Sequence, residues 1–217
     1  MKILFIGNSY TYFNDLPALF RKLAADNGHS VDVFSVTQGG RKLIAFQNPD
    51  DPYTEQLNAL LAEHEFDIVF VQEYSTLPYL DYDTFYSGAA HIVETVRPHS
   101  KRIIFYATWG RKPGCPLLAE RGWTHDSMTK GLADAYTRAA QALDAEVSYA
   151  GLKFQKILQT HPEIELYNED GSHPSYAGSC LAAMTHYRTA FGSPVNNYTG
   201  FAMERKVLEI LREAAAD

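Results

Sequence analysis

The chain is poor in cysteine, with two thiols, Cys115 and Cys180, in 217 residues. Two cysteines this far apart make neither a disulfide framework nor a metal knuckle, and free thiols fit a reducing compartment. Positive charge is also short. Lys and Arg number 19 against 26 Asp and Glu, a formal net charge of −7, so the basic footprint that nucleic acid requires is missing. No Lys/Arg run offers a patch for an anionic membrane, and the negative charge reads as a solubility feature. Long apolar runs are absent too. Only residues 3–6 are apolar between Lys2 and Gly7, too few for the core of a signal peptide, and no stretch elsewhere is long enough to span a bilayer. The expected location is the cytoplasm, though a chain trimmed of a leader would read the same way. There is no Walker or dinucleotide-type glycine loop, no internal repeat, no low-complexity tract and no Pro/Gly/Ser-rich linker.

What the chain does have is apolar and aromatic mass: 46% hydrophobic residues, with 14 Tyr and 12 Phe. That is enough to bury a substantial core, which excludes disorder. The length suits one domain, residues 1–217, better than two.

Short apolar runs alternate with longer stretches of helical period. Strands are expected at 3–6, 31–36, 68–71, 103–107 and 146–149. Helices are expected at 15–27, 53–64, 83–96, 127–143, from after Pro174 to about Thr189, and at 202–215. The run 68–71 is continuously apolar, as in a strand covered on both faces. Strand–helix alternation repeated about five times implies a parallel sheet with helices on both faces, and right-handed crossovers leave few topologies. The expectation is a three-layer α/β/α fold with a five-stranded parallel sheet in flavodoxin-like order. Ligands of such sheets sit beyond the carboxyl ends of the strands. The segments to interrogate are therefore Gly7-Asn8-Ser9, Gln38-Gly39-Gly40, Gln72-Glu73 and Thr108-Trp109.

Ser9 follows the first strand directly, where a hydroxyl can face the cleft. Serine and asparagine at such a place also serve as plain turn or helix-cap residues. A serine hydroxyl is a poor nucleophile until a base takes its proton. The chain offers a base at its other end, in Asp170-Gly171-Ser172-His173-Pro174. Across three residues Asp170 can reach one imidazole nitrogen of His173, leaving the other for Ser9; the alternative is that Asp170 or Ser172 simply caps the helix after Pro174. Acyl transfer also needs donors aimed at a developing oxyanion. The Ser9 N–H, the Gly39-Gly40 turn and the side-chain amide of Gln72 are candidates, against the commoner use of paired glycines as a loop requirement and of Gln72 as a backbone partner.

In order and spacing these segments resemble the SGNH/GDSL hydrolase superfamily. Gly7-Asn8-Ser9-Tyr10 resembles the first block, Gly-Asp-Ser-Leu, with Asn8 for the aspartate. Gly40 is similar to the second-block glycine, with Gly39 the other match. Asp170-Gly171-Ser172-His173-Pro174 resembles the last block, Asp-x-x-His. The resemblance runs from residue 6 to about residue 180 and departs in the third block, where Gly-x-Asn-Asp is replaced by Val71-Gln72-Glu73-Tyr74-Ser75. Gln72 is the nearest amide to the missing oxyanion-hole asparagine, as in a divergent branch with a Leu-Gln-Glu-like third block. Loss of one such donor costs roughly 3–4 kcal/mol.

The resemblance implies that Ser9 attacks an ester carbonyl with His173 as base and Asp170 orienting it. The Ser9 and Gly40 N–H groups and the Gln72 amide would hold the oxyanion. No metal or organic cofactor is implied, and the partner is a small-molecule or carbohydrate ester. Substrate contacts are expected at Tyr10, Trp109, Glu73 and Arg111, with Tyr12 and Tyr74 as further aromatic walls. Trp109 either stacks on a sugar ring or packs under its own loop; Arg111 could meet a carboxylate or phosphate; Glu73 is a second acid or a strand-end charge. Carbohydrate deacetylation is the favoured guess. His64, His91, His99, His125, His161 and His186 lack ligand spacing and are expected mostly at the surface or at helix ends. The competing readings are a non-catalytic glycan or small-molecule binding module on the same fold, and a flavodoxin-like cofactor or nucleotide binder resting on fold class alone. The oligomeric state is not encoded legibly.

Overall fold

A computed structural model describes residues 1–216. In chain order the elements are β1 (Lys2–Gly7), α1 (Ser9–Tyr12), α2 (Leu16–Asp26), β2 (Asp32–Thr37), α3 (Pro52–Glu63), β3 (Phe66–Val71), α4 (Leu77–Leu80), α5 (Tyr82–Val96), β4 (Ser100–Tyr106), α6 (Pro116–Arg121), α7 (His125–Ala142), β5 (Glu146–Ser148), α8 (Ala150–Thr160), α9 (Tyr176–Phe191) and α10 (Arg205–Ala216). The five strands form one sheet in the order β2-β1-β3-β4-β5, and every pairing is parallel. This is the flavodoxin-like three-layer α/β/α arrangement expected from the alternation of elements.

Strand periodicity divides the core in two. Ile3, Phe5, Ile68, Phe70, Ile104 and Tyr106 point to the face covered by α2, α8, α9 and α10. Leu4, Ile6, Val69, Val71, Ile103 and Phe105 point to the face covered by α3, α5 and α7. Strand order reverses between β1 and β3, which makes their carboxyl ends the topological switch point where such sheets bind ligands. Asn8 and Ser9 begin the chain beyond β1, and Gln72 the chain beyond β3.

Observed boundaries differ from those expected by a few residues, as helix and strand ends usually do. The strand of residues 103–107 begins earlier, at Ser100, because polar Ser100, Lys101 and Arg102 lie where the strand emerges from cover. Helix α8 has no counterpart in the sequence-based reading. Its buried positions, Ala150, Gly151, Phe154 and Ile157, do carry helical spacing, but two are small and give little apolar contrast. Among the described residues no helix is long and apolar enough to cross a membrane. Both cysteines are free, Cys180 buried and Cys115 half-buried.

Candidate active site

Beyond Gly7 the backbone turns at Asn8 and enters the four-residue helix α1. The Asn8 Oδ1 accepts the Tyr10 N–H at 3.2 Å, and its Nδ2 donates to the Arg41 carbonyl at 3.0 Å. An ionised aspartate could make the first bond but not the second. Asparagine therefore both caps the turn and tethers the loop after β2. Ser9 is the first residue of α1, so its own N–H has no intrahelical acceptor.

His173 arrives from the other end of the chain. The turn that carries it is closed by the Asn168 N–H on the His173 carbonyl at 2.9 Å and the Gly171 N–H on the Asn168 carbonyl at 3.0 Å. Neither Asp170 nor Ser172 caps the following helix; Ser175 does, accepting the Gly178 N–H at 3.1 Å. Asp170 is left to its neighbours. Its Oδ1 accepts the N–H groups of Ser172 and His173, each at 2.9 Å, and its Oδ2 faces His173 Nδ1 at 2.5 Å. Burial works against ionisation of Asp170, but the His173 hydrogen bond and the two backbone donors together hold its carboxyl below the ordinary value. With Nδ1 engaged as donor, His173 Nε2 is the accepting nitrogen, and it lies 2.8 Å from Ser9 Oγ. Three residues from the two ends of the chain thus form one hydrogen-bonded line.

The imidazole is fixed by rings as well. Phe13 stacks on it at 4.3 Å and 15°, and Tyr10 meets it edge-on at 5.5 Å. Just after Phe13, Asn14 and Asp15 both adopt left-handed backbone, φ 54° and 51°, which costs about 1–3 kcal/mol per residue outside glycine. That shape lets Asn14 Nδ2 donate to the Pro174 carbonyl at 3.1 Å and to Ser179 Oγ at 2.9 Å, tying the segment after Ser9 to the one that carries His173. Phe13 and Asn14 escaped the sequence-based reading; their only signal was adjacency to Ser9.

Gly40 sits on an exposed turn closed by the Arg41 N–H on the Gln38 carbonyl at 3.1 Å. Its φ of 69° suits glycine, and among the described residues its N–H has no protein acceptor. The loop is anchored by Arg41, which is buried, pairs with Asp51 at 2.6 Å and lies 4.0 Å over the Phe46 ring. Tyr12 is 43% exposed and brings its hydroxyl beside Gly39.

Several expected contacts take other partners. The Gln72 side chain is buried behind the turn: its oxygen accepts the Asn8 N–H and the Thr11 hydroxyl, each at 2.9 Å, and its nitrogen donates to the Glu73 carbonyl. The Asn8 N–H fixes this orientation, so Gln72 braces the turn that carries Ser9 rather than offering a free amide to the cleft. Glu73 is wholly buried. Its oxygens accept the Leu43 N–H at 3.1 and 3.2 Å and the Tyr74 N–H at 2.5 Å. Burial, only partly offset by these donors, raises its carboxyl to about 7. It joins the loop after β2 to the loop after β3 and touches no open space.

Trp109 is 0% exposed, stacked on Phe154 at 3.8 Å and on Tyr10 at 5.0 Å, with its Nε1–H on the Ser172 carbonyl at 3.1 Å. Of its two expected placements the buried one is realised. Tyr10 is likewise buried, with its hydroxyl on Ser172 Oγ at 2.8 Å, so it supports the site from beneath instead of lining it. Arg111 points inward to Tyr10, Ser172 and Ser75. His186 is buried within α9, unlike the surface or helix-end placement expected for most histidines, whereas His125, also buried, stands at the start of α7. His186 fits among Phe5, Phe70 and Tyr106, and His125 bonds the Arg111 carbonyl at 3.0 Å. Among the described residues no group of three or more His, Cys, Asp or Glu could hold a metal ion.

A parallel α/β/α sheet with a Ser–His–Asp hydrogen-bonded line at its carboxyl edge is an arrangement that α/β hydrolases share. Comparison with solved structures narrows the class. A protein from Slackia heliotrinireducens assigned as an SGNH hydrolase is 31% identical with TM-score 0.76, over 87% of this chain and 98% of that one. The chain belongs to the SGNH hydrolases. Two more distant structures share the fold: a DUF4886 family protein from Bacteroides uniformis, 18% identical with TM-score 0.86 over 100% of this chain and 93% of that one, and the acetylxylan esterase Axe2 from Geobacillus stearothermophilus, 16% identical with TM-score 0.64 over 88% and 94%. No protein-family model and no curated protein matches the chain.

Proposed function

We propose that this SGNH hydrolase is a serine esterase in which Ser9 is the nucleophile, His173 the general base and Asp170 the residue that orients it. The observation that carries the reading is the 2.8 Å hydrogen bond between Ser9 Oγ and His173 Nε2, across 164 positions of sequence. The distance lies within the range that proton transfer requires. As the Ser9 oxygen bonds to the ester carbonyl carbon, its proton passes to His173 Nε2. The imidazolium is stabilised by Asp170, and the oxyanion accepts the N–H groups of Ser9 and Gly40. Collapse breaks the carbon–oxygen bond to the alcohol, which leaves with the proton from His173. Water then gives a proton to His173, attacks the acyl carbon and frees Ser9.

With Gln72 engaged on Asn8 and Thr11, the oxyanion rests on two backbone donors. A third donor elsewhere is worth roughly 3–4 kcal/mol, so a modest turnover number is expected. The favoured substrate is a small acyl ester on a carbohydrate. Its support is the exposed ring of Tyr12, three positions beyond Ser9 and with its hydroxyl near Gly39, together with a shared fold with an acetylxylan esterase. Hydrolysis of 4-nitrophenyl acetate and of acetylated xylooligosaccharides tests the reading. Ser9→Ala is expected to lower kcat by at least about 10⁴-fold and Asp170→Asn by about 10⁴-fold. Equal turnover by wild type and Ser9→Ala would remove Ser9 from the chemistry.

A further inference from the structure

The loop after β4 grips the turn that carries Asp170 and His173 at three points. Trp109 Nε1–H donates to the Ser172 carbonyl at 3.1 Å. The Lys112 N–H donates to the Gly171 carbonyl at 2.9 Å. Between them the Arg111 guanidinium donates to Ser172 Oγ. The same guanidinium donates to the Tyr10 hydroxyl and to Ser75 Oγ, the latter at 3.0 Å. Tyr10 and Ser172 are themselves bonded at 2.8 Å.

One cation on the loop after β4 therefore binds residues from the loops after β1 and β3 and from the Asp-x-x-His turn. Two of its partners adjoin the reacting atoms. Tyr10 follows Ser9 and lies edge-on to His173. Ser172 precedes His173 and donates its N–H to Asp170 at 2.9 Å. Among the described residues no carboxylate forms an ion pair with Arg111; its acceptors are three hydroxyls. A planar fork can hold several acceptors in fixed directions, which the point charge of lysine cannot.

We propose that Arg111 is a positioning residue: through Ser172 and Tyr10 it sets the distance between His173 and Ser9, and it does not contact substrate. The inference rests on the esterase reading above and replaces the expectation that Arg111 meets an anionic group of the substrate. A small misplacement of a base from its nucleophile costs rate without weakening substrate binding.

The test compares Arg111→Met, Ser172→Ala and their double variant on 4-nitrophenyl acetate and on an aryl monoester of succinate, one neutral and one anionic acyl group. Ser9→Ala serves as the blank, and thermal melts establish that each protein is folded at the assay temperature. Ser172 lies outside the apolar core, so its variant folds even if Arg111→Met does not. Positioning requires that each single variant lose between about tenfold and about a hundredfold in kcat, with KM unchanged and the same loss on both esters. The double variant should be no slower than the worse single one, because the two residues act as one unit. A rise in KM confined to the anionic ester, an unchanged kcat, or losses that multiply in the double variant would overturn the inference. The esterase reading is judged separately: it fails if Ser9→Ala turns over like wild type, whereas an inert Ser9→Ala beside a fully active Arg111→Met sinks only the role of Arg111.

Discussion

Trp109 lies flat between Phe154 and Tyr10, and its indole N–H is bonded to the turn bearing His173. Its mass stiffens the floor of the site and is closed to a sugar ring. Trp109→Ala should therefore cost about 3–5 kcal/mol in urea unfolding, the ordinary cost of emptying a large aromatic site. Trp109→Phe should retain most of that stability and lose the Ser172 bond. A Trp109→Ala variant of unchanged stability and raised KM for acetylated oligosaccharides would restore the residue to the substrate side. At this scale Ser9, Asp170 and His173 were legible in the sequence because their chemistry is local: a turn after a strand, and a carboxylate three residues from an imidazole. Gln72 and Glu73 were visible as strand-end residues. Apart from the adjacent Tyr74, their side-chain partners Asn8, Thr11 and Leu43 lie on other segments, and no spacing along the chain states which of them a side chain meets.

The elements around the site are held by close backbone contacts that a sequence does not announce. Helix α8 begins against the end of β4, where a Cβ added to Gly151 would lie 2.1 Å from the Thr108 carbonyl oxygen. On an isolated helix, Gly→Ala gains about 1 kcal/mol. Here the methyl group would push α8 away from the loop that carries Trp109 and Arg111. Gly151→Ala is expected to lower the thermal midpoint and reduce turnover together; a stabilised variant would mean that the helix can shift freely. The long helices α2, α5 and α7 were readable because their buried residues form one stripe. α9 was readable in spite of being buried on nearly all sides, because Pro174 and Ser175 mark its start. α8 was not, since half of its buried positions are Ala and Gly.

Across the whole molecule, two buried titratable groups on opposite faces of the sheet give stability opposing pH slopes. Glu73 is raised by burial from 4.5 to about 7. Between those values the folded chain holds a proton that the unfolded chain releases, so stability is fully present below 4.5 and falls as pH rises to about 7. His186 is lowered by burial from 6.5 to about 3, its Nδ1 on Ser148 Oγ at 2.7 Å and its Nε2 without a partner among the described residues. Below 6.5 the unfolded chain takes a proton that the folded chain refuses, so this contribution is present above 6.5 and is lost as pH falls toward 3. The two slopes partly cancel in the wild type. Glu73→Gln should move the pH of greatest stability upward and His186→Phe should move it downward, read as urea midpoints from about pH 5 to about pH 8. Identical profiles for wild type and both variants would show that neither group titrates on unfolding.

The sequence by itself determined the layered fold and the strand order class, because alternation of short apolar runs with amphipathic helices permits few right-handed topologies, and these place the loops after β1, β2 and β3 at one edge; Ser9, Asp170 and His173 stood out through their resemblance to the first and last SGNH blocks. Only the tertiary structure decided the direction of the side chains at that edge. Tyr10, Trp109, Glu73 and Arg111 could each have faced either cleft or core. Packing against Phe154, the need to satisfy buried polar atoms and the meeting of Tyr10, Ser75 and Ser172 at the Arg111 guanidinium turned all four toward the framework.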